Sequence, residues 1–117
     1  MALKVSPLAP LTVPRLEPVE GVGLAIAETG IRYKDRPDVL LATLSPGTVV
    51  AGCLTLSKSR SAPVDWCAES LKGGKARAVI INAGNANAFT GKAGVKTVTA
   101  VAKAVAQQLK CRPAEVF

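Results

Sequence analysis

Apolar residues fall in short runs of differing period, separated by clusters of Pro, Gly, Ser and charge. Residues 1–20 carry Pro7, Pro10, Pro14 and Pro18 and no regular period, which predicts an extended arm. Gly21 to Ala27 alternates small and large side chains and reads as a first strand. A charged turn from Tyr33 to Pro37 leads into Asp38 to Leu44, a second strand. Ser45-Pro46-Gly47 has turn chemistry. Thr48 to Thr55 then reads as a third strand, antiparallel to the second, because so short a connection is too short for a parallel crossover. Ser57 to Ser61 is a polar, basic loop, and Pro63 suits the first turn of a helix. In that helix Val64, Cys67, Ala68 and Leu71 share a face, Asp65 and Glu69 lie near the end that the dipole favours, and Gly73-Gly74 stops it.

The strand expected over Lys75 to Asn82 has at its centre Ala78-Val79-Ile80-Ile81. This run does not alternate, which predicts burial on both faces. The clearest element follows it. From about Gly91, Val95, Val98, Ala102, Val105 and Leu109 recur at helical steps and predict one core-facing stripe. Thr90 is the expected N-cap, and Lys92, Lys96, Lys103 and Lys110 form a solvated flank. Cys111-Arg112-Pro113 ends the helix, and Ala114 to Phe117 begins an element that the chain does not complete. An apolar Val-Phe ending without a polar tail predicts a fragment, so 21–117 is expected to be one incomplete domain behind the arm.

Between strand and helix lies Asn82-Ala83-Gly84-Asn85-Ala86-Asn87-Ala88-Phe89-Thr90-Gly91. Its small residues let a ligand approach the backbone, and its carboxamides donate hydrogen bonds without charge. Gly84, Asn85 and Asn87 are the candidate site residues, at the strand end where α/β crevices form. The alternative is a plain turn, since Asn and Gly both tolerate positive φ and Asn bonds nearby backbone. A phosphate-cradling loop is not met: Gly91-Lys92 is present, but Ala86 replaces the first Gly and Ala93 the hydroxyl residue. No GxGxxG follows the strand.

Composition narrows the picture. A chain of 117 residues, 49% hydrophobic with only four aromatics, must build its core from aliphatic residues and Ala, which excludes general disorder. No apolar run approaches the ~20 residues of a membrane span, and prolines interrupt any signal-peptide centre, so a cytoplasmic location is expected. Cys53, Cys67 and Cys111 match no zinc spacing and there is no histidine, so neither a metal nor a cofactor is expected. Net charge is +7, and Lys58 to Arg112 holds ten basic residues against Asp65 and Glu69, or 10 − 2 = +8. That half admits a nucleic-acid-binding module, although no stacking aromatics are interleaved and no RRM, KH or finger signature occurs. A positive field equally attracts a small dicarboxylate or an acidic partner segment.

The decapeptide Asn82 to Gly91 resembles the signature of the bifunctional ornithine acetyltransferase/N-acetylglutamate synthase family. Gly30-Ile31-Arg32-Tyr33-Lys34, Arg36-Pro37-Asp38, Ala51-Gly52-Cys53-Leu54-Thr55, Ser61-Ala62-Pro63-Val64 and Gly73 to Ala78 extend the resemblance from about Gly21 to Phe117. Leu54 stands where the family usually has Phe, and Ser57 where Asn is frequent. The resemblance implies an α/β fold, a mixed sheet covered by helices in an N-terminal nucleophile-type sandwich, present only in part. It implies an acetyltransferase of arginine biosynthesis that moves acetyl from N2-acetylornithine to glutamate, with use of acetyl-CoA left open. The family's precursor cleaves itself before a threonine that becomes the nucleophile. That Thr, and the Thr-Gly pair of the oxyanion hole, would lie downstream of Phe117, so no catalytic residue is carried onto this chain. The implied partners are the rest of the α chain and the β chain in an oligomer, with no membrane, and this piece alone is expected to be inactive. A non-catalytic relative kept for interaction is the other reading.

Overall fold

The computed structural model describes residues 6–117; the first five residues of the expected arm lie outside the described residues. Three strands, β1 (Val22–Ala27), β2 (Val39–Leu44) and β3 (Ala78–Asn82), pair antiparallel in that order. Two α-helices, α1 (Ala62–Leu71) and α2 (Gly91–Leu109), flank β3 in sequence, and a short 3-10 turn follows at Pro113–Glu115. Val116 then pairs in parallel with Ala78. Arg77 N donates to Glu115 O at 2.7 Å, Phe117 N to Ala78 O at 2.9 Å and Ile80 N to Phe117 O at 2.7 Å. Strand pairing around β3 is therefore mixed, as the family resemblance implies.

Register decides what the helices cover. Ala25, Leu41 and Ile80 lie opposite one another across the sheet, and Leu41 and Ile80 pack on the core of Ala78, Ala102, Val105, Ala106 and Val116. Leu24, Ala42 and Val79 point to the other face, as do Ile26, Leu40 and Ile81. No described element closes that face, and Leu24, Ile26 and Ile81 are 71%, 66% and 56% exposed. The expected burial of β3 on both sides is thus corrected: its apolar run is two-sided, but the described residues supply only one cover.

Two further expectations change. Thr48 to Thr55 is not a third strand beside β2, because β1 and β3 occupy both edges of β2. Its start pairs instead with the approach to β3, through a Val49–Lys75 bridge and bonds from Val50 N to Gly74 O and Ala76 N to Thr48 O. In α1 the expected Val64, Cys67 and Leu71 are half-buried, but Ala68 is exposed, and Pro63, Trp66 and the buried Ser70 widen the inward face beyond the expected stripe. In α2 the stripe is core from Val98 to Leu109, but Val95 stands out in solvent. Thr90 occupies the N-cap position without capping; its hydroxyl donates to Asn87 O at 3.0 Å.

Candidate functional site: the asparagine loop

β3 ends at Asn82, opposite Val39, and one further rung joins Ala83 N to Asp38 O at 2.8 Å. The chain then turns sharply, with positive φ at Gly84 (102°), Asn87 (52°), Phe89 (57°) and Gly91 (55°). Asn accepts that conformation readily because its short amide bonds nearby backbone, whereas Phe89 is an uncommon occupant. The amides hold the turn from within. Asn82 Nδ2 donates to Asn85 O at 3.0 Å, and Asn85 Oδ1 accepts from Asn87 N at 2.9 Å. Asn87 O accepts from Ala62 N at 3.3 Å, which ties the loop to the start of α1.

The same loop forms one end of a cleft of about 360 Å³. Asn82, Asn85 and Asn87 all line it together with Pro63, Trp66 and Cys67 of α1, and the rest of the wall is apolar apart from Thr97. The two site asparagines expected from sequence therefore meet in one cleft, with Asn82 beside them. Gly84 serves differently: a Cβ there would lie 2.6 Å from Arg32 Cβ, so the Arg32 stem is seated on its bare α-carbon. Among the described residues Asn85 Nδ2 donates no hydrogen bond and remains available to a ligand.

Among the described residues no Asp, Glu, Lys, Arg or His lines this cleft. Burial pushes the Cys67 thiol up from its ordinary pKa, so the one sulfur in the wall is protonated and a weak nucleophile. The arrangement can hold an apolar group and offer neutral hydrogen bonds; it has no general base of its own. A second, wider basin of about 700 Å³ carries Lys58, Arg60, Lys92 and Lys96 around Phe89. Arg60 is paired there with Asp65 at 2.8 Å, and Phe89 is its single aromatic, a poor match to a nucleic-acid platform.

Sequence reasoning overlooked two residues that shape the site. Trp66 Nε1 donates to Val116 O at 2.8 Å, fixing part of the same cleft wall. Asp38 is 3% exposed, and its carboxylate accepts from Thr29 N at 2.6 Å, Thr29 Oγ1 at 2.9 Å and Ile31 N at 2.8 Å. These bonds, that from Thr29 N foremost, hold its pKa below the ordinary value. The lone Trp and an Asp opening an apolar strand were the available signals.

Residues 23–117 match the family model described as the ArgJ family. Over 117 residues the chain is 56% identical to the arginine biosynthesis bifunctional protein ArgJ of Bradyrhizobium diazoefficiens, covering all of this chain and 28% of that protein. The namesake protein of Mesorhizobium japonicum is 48% identical over the same shares. The chain thus spans little more than a quarter of the length of these relatives. Among solved structures, the ornithine acetyltransferase of Mycobacterium tuberculosis, complexed with ornithine, superposes with a TM-score of 0.78 at 36% identity, covering 83% of this chain and 53% of that one. The ArgJ protein of Bacillus halodurans gives 0.73 at 31% identity, covering 83% and 51%. With about four fifths of the chain matched by the family model and its fold shared with two solved members, this chain belongs to the ArgJ family.

Proposed function

We propose that this chain is the amino-terminal scaffold of an acetyltransferase of arginine biosynthesis, with the asparagine loop lying beside the active site. In the complete protein an acetyl group would move from the α-nitrogen of N2-acetylornithine to a threonine hydroxyl, releasing ornithine, and then to the amine of glutamate. The threonine belongs to the remainder of the precursor, and the cytoplasm is the expected compartment. Relatives named as bifunctional arginine biosynthesis proteins and a neighbour complexed with ornithine support this substrate class. The observation that carries the site is the convergence of Asn82, Asn85 and Asn87 on one cleft, at the end of β3 and beside Phe117. Val116 runs parallel to β3, so the chain leaving it heads toward the same end of the sheet as the loop.

A cleft lined by three carboxamides, with Cys67 held as a neutral thiol, fits a supporting role. The loop would place neutral donors while the nucleophile and its base come from elsewhere. The test is Asn85→Ala and Asn87→Ala in the full-length precursor. Loss of one hydrogen bond to a charged transition state costs roughly 1.5–3 kcal/mol, about ten- to a hundred-fold in kcat. If both variants mature normally and keep wild-type kcat and KM, the loop is only a turn.

A further inference from the structure

Asp38 is the one charged side chain buried among the described residues, and the chemistry proposed above makes no use of it. It joins three segments at once. Its N–H donates to Ala27 O at 3.0 Å, closing the β1–β2 ladder. Its carbonyl takes Ala83 N, the first bond of the asparagine loop, at 2.8 Å. Its carboxylate takes three donors from Thr29 and Ile31 and so shapes the turn that carries Arg32. That turn returns to the loop, because the Arg32 stem lies against Gly84: its Cβ, Cδ and Cγ would sit 2.6, 3.4 and 3.6 Å from a Cβ at that position. One flank of the loop's entry is therefore held by the main chain of Asp38 and the other by its carboxylate.

We propose that Asp38 is a positioning residue, whose carboxylate fixes Asn85 through the Arg32 seat on Gly84 while its main chain holds the Ala83 rung. The proposal rests on the reading that the loop supports the active site. Asparagine at position 38 keeps the shape but only one acceptor oxygen. The carboxylate accepts from Thr29 N on one oxygen and from Ile31 N on the other, and an amide NH2 in either place faces a backbone N–H that it cannot accept from. The Thr29–Arg32 turn then relaxes and the Gly84 contact loosens, moving the loop by a fraction of an ångström. Bonds made only in the transition state are the most sensitive to such a shift, so the loss falls on kcat rather than KM.

The test uses the full-length precursor, with kcat counted per matured chain. Asp38→Asn is expected to lower kcat about tenfold with little change in KM, the equivalent of one such hydrogen bond. Arg32→Ala leaves the carboxylate and its donors in place and removes the seat, and is expected to act in the same direction. It also answers the question if Asp38→Asn does not mature. The decisive measurement is a double-mutant cycle: in an Asn85→Ala background both substitutions should have less than about a twofold further effect, because the group they position is gone. A purely structural role would lower the yield of mature protein and leave kcat per chain unchanged. That result, or an equal loss in both backgrounds, overturns the proposal. If Asn85→Ala and Asn87→Ala are themselves silent, the reading of the loop falls and this one with it. If they are impaired while Asp38→Asn and Arg32→Ala are not, only the role of Asp38 falls.

Discussion

At the scale of single residues, environment decides chemistry. Cys67 faces the cleft with its thiol pushed up by burial, while Cys53 is exposed. A thiolate-selective alkylating reagent at pH 8 should therefore modify Cys53 well before Cys67, by at least about tenfold in rate. Peptide mapping of this chain would show it, and equal rates would contradict the burial described. Asp38 gives a pH signature. Its pKa is lowered in the folded protein, first by the Thr29 N–H, so it stabilises fully above the ordinary value near 3.8. That stabilisation is lost as pH falls through the lowered folded value. Full-length Asp38→Asn should melt below wild type at pH 7, and the gap should close as pH falls below 4. A gap independent of pH would mean that the carboxylate charge is not what matters. The asparagines were legible from sequence because three carboxamides among small residues after a strand are an unusual composition. Asp38 was not, because a carboxylate at a strand entrance looks solvated until its distant donors at Thr29 and Ile31 are seen.

At the scale of elements, local pattern succeeded where the period was strong and failed where partners had to be chosen. β1, β2, β3 and α2 follow their sequence signals within a residue or two at most ends, although Lys75 to Arg77 precede β3. The segment after Gly47 has strand composition, yet pairing depends on which edges are free, a property of the sheet and not of the segment. In α1 the apolar stripe is legible at Val64, Cys67 and Leu71, whereas Ser70, the most buried residue of the helix, is not, because it counts as polar in the pattern. That leaves Trp66 as the anchor of α1, and it yields a direct test. Trp66→Phe keeps much of the packing but removes the donor to Val116 O. An orphaned, partly buried carbonyl costs about 1–3 kcal/mol, which chemical denaturation of the full-length protein should register. An unchanged midpoint would show that water replaces the indole at no cost.

For the molecule as a whole, the two sheet faces have unequal fates. One carries the helices; the other leaves Leu24, Ile26 and Ile81 in solvent beside Leu40 and Val79. A contiguous apolar surface of this kind seeks a cover. The 117-residue chain prepared alone should self-associate, seen as concentration-dependent mass in light scattering. It should also transfer no acetyl group from N2-acetylornithine to glutamate. A monodisperse monomer that melts cooperatively would show that the uncovered face needs no partner. Relatives of more than three times this length have ample chain to supply one.

Among the described residues Val116 is the largest fully buried side chain, yet it lies at the far end of the described chain from β1. It fills the space between Ala78 and the inner turns of α2, while Trp66 holds its carbonyl. On the ribosome, where residues appear in order, the sheet and both helices would emerge before the residue that closes their core. Until then the apolar side of α2 would lack that cover, the kind of transiently exposed surface that makes folding intermediates aggregation-prone. Translation pausing shortly after α2 would prolong that interval, and synthesis through Val116 would end it.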